Sequence, residues 1–296
     1  MSATSDTPTP GPGLLGASTR RKRVNRLMEV LATAATGLAV AVLALVVGTV
    51  VVKGVSAISL DFLTDTPAPF GLPGGGIANS IVGTFMLVLV ASVIAVPIGI
   101  LIGIHASEFA RPRVSYAVRF ALDILAGVPT IITGIFIFGL LVVGHQQSGY
   151  DGSIALAIVM LPIVARSAQE VLGLVPNSLR EAAQALGIAR WRMVARIVVP
   201  SAASGLITGA VLGVARVAGE TAPLLFTSSI VSNSVSWNPA QALASIPVTI
   251  FTLSESNSPQ DHTRAWGAAL VLIVAVLILS VSARSLHERS RRKLRG

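Results

Sequence analysis

Two arginines lie inside long apolar stretches of the chain, and each is followed four residues later by a glutamate. Arg166 precedes Glu170, and Arg216 precedes Glu220. Four residues are close to one turn of an α-helix, so each pair can lie on one helix face and its charges can neutralise each other. Ionisable groups within segments that cross a membrane are costly and mark paths for ions or charged substrates. The spacing therefore leaves open a structural ion pair and a site for a small anion.

The residues needed for covalent or metal chemistry are not arranged for it. The chain has no cysteine, which excludes disulfides, thiol chemistry and zinc thiolate sites. It lacks the H-E-x-x-H and G-x-S-x-G motifs, and no lysine completes a G-x-x-x-x-G-K-[ST] phosphate-binding loop. The histidines lie at the ends of apolar stretches or between them: His105, His145, His262 and His287. We therefore predict no catalytic residue, no metal site and no cofactor bound by this chain.

The elements that must position the charged pairs are apolar helices. Hydrophobic residues make up 53% of the 296 positions and charged residues 12%, about half of the roughly 25% charge of a soluble globular chain. Backbone groups in lipid must be satisfied within their own segment, so apolar stretches of about 20 residues predict membrane-spanning helices. We predict an all-α polytopic membrane protein with six spans, near residues 28–52, 78–104, 115–143, 153–174, 201–227 and 265–285.

The basic residues indicate how the chain lies in the membrane. The net charge is +9, but the basic residues flank the apolar spans and do not gather on an aromatic-bearing domain, which argues against nucleic acid as a partner. Most of the 22 lysines and arginines fall in the two tails and after the second and fourth spans. The positive-inside rule then places both termini in the cytoplasm. The basic run 20–23 precedes an apolar stretch too long for a signal peptide, which predicts a retained first span.

This orientation divides the chain into three parts. Residues 1–27 are predicted to form a disordered basic cytoplasmic tail, residues 28–286 the transmembrane domain, and residues 287–296 a second basic tail. The fourth and fifth spans are connected by a cytoplasmic loop, residues 175–200. The external segment 228–264 contains an apolar run that is too short to span, so we expect a re-entrant or interfacial segment there.

The cytoplasmic loop is predicted to form a helix, a turn and a second helix. Ser178 and Glu181 have the spacing of a capping box, in which each side chain accepts from the other residue's backbone N–H, so a helix is predicted to start there. Gly187 lies where that helix would end. Pro200 is expected to open the fifth span. The second short helix would direct three apolar side chains toward the membrane surface: Trp191, Val194 and Val198.

This loop resembles the coupling motif of binding-protein-dependent ABC importer permeases, which reads Glu-Ala-Ala, three residues, Gly, nine residues, Ile, one residue, Leu, Pro. Val199 replaces the usual leucine, and six residues match: Glu181, Ala182, Ala183, Gly187, Ile197 and Pro200. The resemblance implies that the loop docks to an ATPase, so that nucleotide-driven closure moves the attached spans. The alternative is an ordinary amphipathic connection between spans.

Other segments resemble the A-type permeases of phosphate-specific transporters within that family. They are residues 74–85, 96–110, 123–136, 216–228 and 265–273. The resemblance implies a type I ABC importer permease fold and import of inorganic phosphate across the bacterial cell membrane. It also implies four kinds of partner: membrane lipid, a second permease of the C type, an ATPase dimer that hydrolyses ATP, and an extracytoplasmic phosphate-binding protein.

The fifth predicted span carries the main candidates for an anion path. Five of its residues fall within about an 80° arc of one helix and should face the protein interior or a water-filled cavity: Gly205, Gly209, Gly213, Arg216 and Glu220. Pro223 cannot donate to Gly219, which predicts a kink or an end just beyond the charged pair. In the resembling family the matching residues are implicated in transport. We hypothesise that Arg216 lowers the barrier for an oxyanion and that Glu220 positions it.

Two further charged pairs and two rival functions stay open. Arg166 either pairs with Glu170 or contributes an inner-pathway cation, and Arg119 is predicted to pair with Asp123 at the start of the third span. The first rival is an importer of another oxyanion, such as sulfate or molybdate. The second is a membrane-embedded hydrolase, for which the spans offer neither a nucleophile with its base nor a metal dyad.

Overall fold

The helices of the protein follow the apolar stretches of its sequence. A computed structural model describes residues 19–68, 74–229 and 234–293, and within these ranges the chain forms helices and no strand. The α-helices are α1 (Thr19–Gly54), α2 (Leu60–Thr64), α3 (Ala78–Ile104), α4 (Pro112–Gly127), α5 (Thr130–Ile137), α6 (Gly149–Gly173), α7 (Asn177–Ala185), α8 (Arg190–Met193), α9 (Val199–Ala218), α10 (Ala222–Thr227), α11 (Ile246–Ser254) and α12 (Pro259–Lys293). Three π-helical segments continue α3, α5 and α8: His105–Phe109, Phe138–Val142 and Val194–Val198. The predicted all-α class is confirmed.

The number of helices that can cross a membrane agrees with the six predicted spans. Five described helices are long and apolar enough, and α4 with α5 makes a sixth if the pair is counted as one span. Helix extends into both segments that were predicted as basic tails, because α1 already begins at Thr19 and α12 runs to Lys293. Arginine and lysine, which are abundant in both segments, favour helix nearly as strongly as leucine does. The predicted disorder of residues 1–18 lies outside the described residues.

The chain divides into two compact units between Val51 and Val52. The described part of the first unit is α1 up to Val51, and its side chains from Arg21 to Val46 are all exposed. A single helix cannot bury its own apolar side chains, so its stability depends on packing against lipid or another helix. The second unit contains α2 to α12 and the buried apolar clusters.

Helix α6 lies at the centre of the second unit, between α3 and α9. Glycines bring the backbones close together. A Cβ added at Gly99 would lie 2.9 Å from the Cβ of Val164, and one at Gly103 would lie 3.1 Å from the carbonyl oxygen of Ala165. On the other side, Gly213 of α9 also lies against Val164. Small residues at such interfaces allow the close van der Waals packing that associates helices in lipid.

The third predicted span is not one continuous helix, and that part of the prediction is wrong. Helices α4 and α5 are separated by Val128 and Pro129, and their axes differ by 91°. The ring of a proline disfavours the α conformation at the residue before it. Val128 accordingly has φ −67° and ψ 127°, and Pro129 has ψ 131°. The chain therefore turns sharply near the middle of the predicted span.

The segment 228–264 contains α11, which packs against α3 and α12. The Ser245 hydroxyl accepts from the Val248 N–H at 3.4 Å at the start of this helix, and the hydroxyls of Thr249 and Ser80 lie 2.7 Å apart. With nine residues, α11 is too short to cross a membrane, as expected for the apolar run of this segment. Its placement as a re-entrant or interfacial element stays a prediction.

Replacing Gly103 with alanine should weaken the packing of α3 on α6. Helix propensity favours alanine by about 1 kcal/mol, but the new methyl group would lie 2.5 Å from the Cβ of Ala168. Overpacking of this kind costs about 1–3 kcal/mol. Thermal unfolding of the purified protein in detergent should show a lower Tm for Gly103→Ala. The control Gly139→Ala, whose Cβ meets nothing within 4 Å, should leave Tm unchanged or raise it; equal Tm values for the two variants would contradict this account.

Candidate functional site

The first helix of the loop 175–200, α7, begins earlier than predicted. It starts at Asn177, with Pro176 as its N-cap residue and no side-chain cap. The Pro176 carbonyl accepts from the Leu179 N–H at 3.2 Å, which places Ser178 inside the first turn. The predicted capping box of Ser178 and Glu181 is therefore wrong. A capping side chain must stand before the first turn, and Pro176 takes that place because its preset φ of −59° leads directly into a helix.

The turn after α7 is closed by Gly187, as predicted. Gly187 has a φ of +70°, a left-handed conformation that strains residues with a Cβ. Its N–H donates to the Gln184 carbonyl at 2.9 Å, and the Ile188 N–H donates to the Ala183 carbonyl at 3.1 Å. These two bonds form a Schellman motif, which satisfies the last carbonyls of the helix. Gly187 and its neighbour Leu186 are exposed, so the turn is open to a partner.

The second helix of the loop and the fifth span form one continuous helix. α8 runs through the π-helical segment Val194–Val198 into α9, so the helix extends over 29 residues from Arg190 to Ala218. The helix that contains the fifth span therefore begins at Arg190 and not at Pro200. The π-helical segment ends two residues before Pro200, whose missing N–H and ring disturb the normal hydrogen bonds of the preceding helical turn. The turn at the loop is thus joined without a break to the span that carries Arg216.

The predicted coupling residues differ in their exposure. Four of them are exposed: Glu181, Ala182, Gly187 and Pro200. Ile197 is half-buried, and Ala183 is buried. Ala183 packs in an apolar cluster with side chains of α6, α8 and α9. Its small size lets α7 lie close to these helices. Ala183 therefore holds α7 in place and does not belong to the exposed surface of the loop.

The predicted common face of the second helix is wrong. Trp191 is 58% exposed, whereas Val194 and Val198 are buried against α6, α7 and α9. The π-helical segment that contains both valines has a wider turn than an α-helix. This wider turn changes the angular spacing on which the predicted face depended.

Sequence reasoning missed an ion pair at the base of the loop. The Arg180 Nη2 donates to Glu108 Oε1 at 2.6 Å and Nε donates to Oε2 at 3.3 Å, and the Glu108 side chain is 4% exposed. Glu108 belongs to the π-helical segment after α3, and Arg180 belongs to α7. The one available signal is a glutamate at the end of a long apolar stretch, which needs a cation once it is buried. Spacing along the chain cannot identify a cation 72 residues away.

Arg216 and Glu220 form an ion pair at the end of α9. The Arg216 Nη2 lies 3.1 Å from Glu220 Oε1, with 62% of the Arg216 side chain and 11% of the Glu220 side chain exposed. The helix ends at Ala218 with Gly219 as its C-cap residue. It therefore ends between the two charged residues. The prediction from Pro223, which put the end beyond both of them, is wrong. Glycine leaves helical geometry more easily than any other residue, so Gly219 is the breaking point.

The predicted glycine stripe of α9 faces α6, whereas Arg216 does not belong to that contact. A Cβ added at Gly205 would lie 2.7 Å from a methyl carbon of Val171, and one at Gly209 would lie 2.6 Å from the Cβ of Ser167. The stripe therefore serves helix packing. The exposed guanidinium of Arg216 lies outside it.

Arg166 pairs across two helices. Its guanidinium contacts the carboxylate of Asp123 on α4, and both side chains are about half exposed. The predicted pairing of Arg166 with Glu170 and of Arg119 with Asp123 is therefore wrong, because α4 packs beside α6 and brings Asp123 to Arg166. Arg119, Asp123, Arg166 and Glu170 line a cavity of about 370 Å³ together with Gln169 and Gly173. This cavity presents both cationic and anionic groups.

Known proteins are similar to this sequence over most of its length. The profile of the family described as "Binding-protein-dependent transport system inner membrane component" matches residues 95–296. The chain belongs to that family. It is 39% identical to the phosphate transport system permease protein PstA of Yersinia pestis over 92% of both chains. It is 38% identical to the phosphate transport system permease protein PstA 1 of Mycobacterium tuberculosis (strain H37Rv), over 75% of this chain and 72% of that relative.

Solved structures share the fold of this inner membrane component. One is a bacterial alginate ABC transporter in complex with an alginate pentasaccharide-bound periplasmic protein, with a TM-score of 0.61 and 14% identity over 93% of this chain and 98% of that chain. Another is the inward-facing MetNI methionine ABC transporter, with a TM-score of 0.56 and 18% identity over 72% of this chain and 94% of that chain. The predicted type I ABC importer permease fold is confirmed.

The helix starts of α6 and α7 should respond differently to the loss of a serine. At α6 the Ser148 hydroxyl accepts from the Asp151 N–H at 3.2 Å, and Asp151 Oδ2 accepts from the Ser148 N–H at 3.1 Å. Ser148→Ala should therefore cost about 1 kcal/mol and speed amide hydrogen exchange in the first turn of α6. Ser178→Ala should change exchange at the start of α7 by less than about 0.5 kcal/mol. A loss at Ser178 as large as that at Ser148 would show that Ser178 does cap α7.

Proposed function

We propose that the chain is the membrane permease subunit of an ATP-driven importer of inorganic phosphate. The observation that carries this proposal is the likeness to phosphate transport permeases over 92% of the chain, which includes both the loop 175–200 and the charged end of α9. The fold supports a transport role, since chains of ABC transporters share it. ATP would be hydrolysed by a partner subunit.

The cytoplasmic loop is proposed to dock the ATPase. Glu181, Ala182 and Gly187 are exposed on a helix and turn whose other side is buried, so the loop offers a small surface on a firm base. The remaining coupling residues position this surface: Ala183, Ile197 and Pro200. The continuous helix of 29 residues is about 43 Å long at 1.5 Å per residue. A displacement at the turn would therefore reach the end that carries Arg216.

Arg216, Glu220 and Arg166 are proposed to line the substrate path. Exposed guanidinium surface within apolar helices is too costly to face lipid, so the 46% of Arg166 and the 62% of Arg216 that are exposed must face a partner subunit or a water-filled path. Glu220 holds one part of the Arg216 guanidinium, which has five donors, and leaves the others for an oxyanion. Arg166, held by Asp123, would supply a cation nearer the cytoplasmic end of α6.

The complete importer would contain several subunits in a bacterial cell membrane. We propose a second permease of the C type, an ATPase dimer and an extracytoplasmic phosphate-binding protein as partners, with both termini of this chain in the cytoplasm. Phosphate released by the binding protein would enter an outward-facing cavity when ATP binds. ATP hydrolysis would then reset the permease to its inward-facing state.

Uptake by the complete complex in vesicles tests the proposal. Labelled phosphate should accumulate only with ATP, and Arg216→Ala should lower the rate by about tenfold or more, because a charge-assisted hydrogen bond contributes about 1.5–3 kcal/mol. The exposed Ser178→Ala variant serves as the control and should keep the parental rate. Parental uptake by an assembled Arg216→Ala complex would refute the role of Arg216. Equal competition by sulfate or molybdate would instead favour an importer of those oxyanions.

Docking of the ATPase should depend on Glu181 and Gly187. Gly187→Ala places a Cβ at a φ of +70°, which costs about 1–2 kcal/mol and changes the direction of the turn, and Glu181→Ala removes an exposed carboxylate. Both variants should recover less ATPase when the complex is purified through a tag on this chain. Ser178→Ala, also exposed on α7, should recover the parental amount. Full recovery with both variants would contradict docking through this surface.

A further inference from the structure

Arg180 makes an unusually complete set of hydrogen bonds directly before the coupling residue Glu181. Besides its two bonds to Glu108, Nη2 donates to the Leu172 carbonyl at 2.9 Å and Nη1 donates to the Val175 carbonyl at 2.6 Å. Nη1 also donates to Asn177 Oδ1 at 3.2 Å. A guanidinium has five N–H donors, and Arg180 makes five hydrogen bonds.

These bonds connect three elements of the fold. The Leu172 carbonyl lies in the last turn of α6, the Val175 carbonyl lies in the turn that follows, and Glu108 lies in the π-helical segment His105–Phe109 that continues α3. The carbonyls at the end of a helix lack their usual intrahelical partners. Arg180 donates to one of them, that of Leu172, and to the Val175 carbonyl of the adjoining turn, while its charge pairs with Glu108. One side chain therefore ties the start of α7 both to α6 and to α3.

The second arm of the loop reaches the same segment of α3. The Arg190 guanidinium, in α8, lies over the ring of Phe109 at 5.7 Å from its centroid, within the range of a cation–π contact. Phe109 is the neighbour of Glu108 in the chain. Both arms of the loop therefore hold the end of α3, one through a buried ion pair and the other through an aromatic ring.

We propose that the Arg180–Glu108 pair transmits the movement of the docked loop to α3. This proposal rests on the proposed docking function, and it makes Arg180 and Glu108 positioning residues for transport. Removing one partner would leave the other charge buried without compensation, so the pair cannot be separated cheaply and α7 and the end of α3 move together. The loop therefore moves two helices: α9, to which it is joined by the chain itself, and α3, to which it is joined by this pair. Helix α3 in turn packs along α6.

Glu108→Gln is the sharpest variant for the test. It removes the charge of Glu108 with little change of shape, and Arg180 keeps its bonds to the carbonyls of α6 and the adjoining turn. The complete complex should then hydrolyse ATP within about twofold of the parental rate, whereas the phosphate imported per ATP should fall about fivefold or more. The double variant Glu108→Gln with Arg180→Met leaves no unpaired charge and should show the same loss.

A matched control separates this role from a purely structural one. Asp261 and Arg264, 3.2 Å apart in the first turns of α12, also form a buried ion pair, but it does not join the loop to another helix. Asp261→Asn with Arg264→Met should keep the parental phosphate-to-ATP ratio in whatever complex assembles. An unchanged ratio in the assembled Glu108→Gln complex, or an equal loss in the control, would overturn the proposal.

Hydrogen exchange on the parental complex tests the link without any variant. On ATP binding, amide exchange should change together in residues 177–185 and 105–109. A response in residues 177–185 alone would overturn the proposal. If the parental complex imports no phosphate, the proposed function fails, but the exchange experiment still shows whether the loop and α3 are coupled.

Discussion

Close contact between α6 and its two neighbours is the constraint on which the rest of the structure depends. Helices in lipid gain little from the hydrophobic effect when they associate, so van der Waals packing must hold them together. The glycines of α3 and α9 let both helices approach α6 closely, and the main buried cluster forms around Leu156 and Met160 as a result. This contact sets the positions of the charged residues on α6 and α9. It also sets the position of the start of the loop 175–200.

The loop 175–200 is held in place because both of its ends belong to this packed unit. α7 starts just beyond the end of α6, and Ala183 fills the space between α6 and the continuous helix α8–α9. The Schellman motif at Gly187 then satisfies the carbonyls of α7, so the exposed turn needs no partner to keep its shape. Because the turn is held by its own hydrogen bonds and continues into one helix, a displacement of the turn would move the whole helix Arg190–Ala218.

The charged residues of the spans combine neutralisation with exposure. Arg166 and Arg216 each contact a carboxylate, yet 46% and 62% of their side chains stay exposed. Arg180 differs, because its five donors are used and its partner Glu108 is buried. The side chains of Arg166 and Arg216 therefore keep an exposed surface, whereas the donors of Arg180 are all engaged within the fold.

The sequence by itself determined the membrane class, five apolar helices long enough to span and the turn at Gly187, because length, hydropathy and the lack of a Cβ are local properties. Some local predictions failed as well. At α7, for example, Pro176 and not Ser178 is the N-cap residue, since two residues competed for the same helix start. Only the tertiary structure decided the partners of the charges, Asp123 for Arg166 and Glu108 for Arg180. The energy of an ion pair depends on the distance between its atoms, and helix packing sets that distance between residues far apart in the chain.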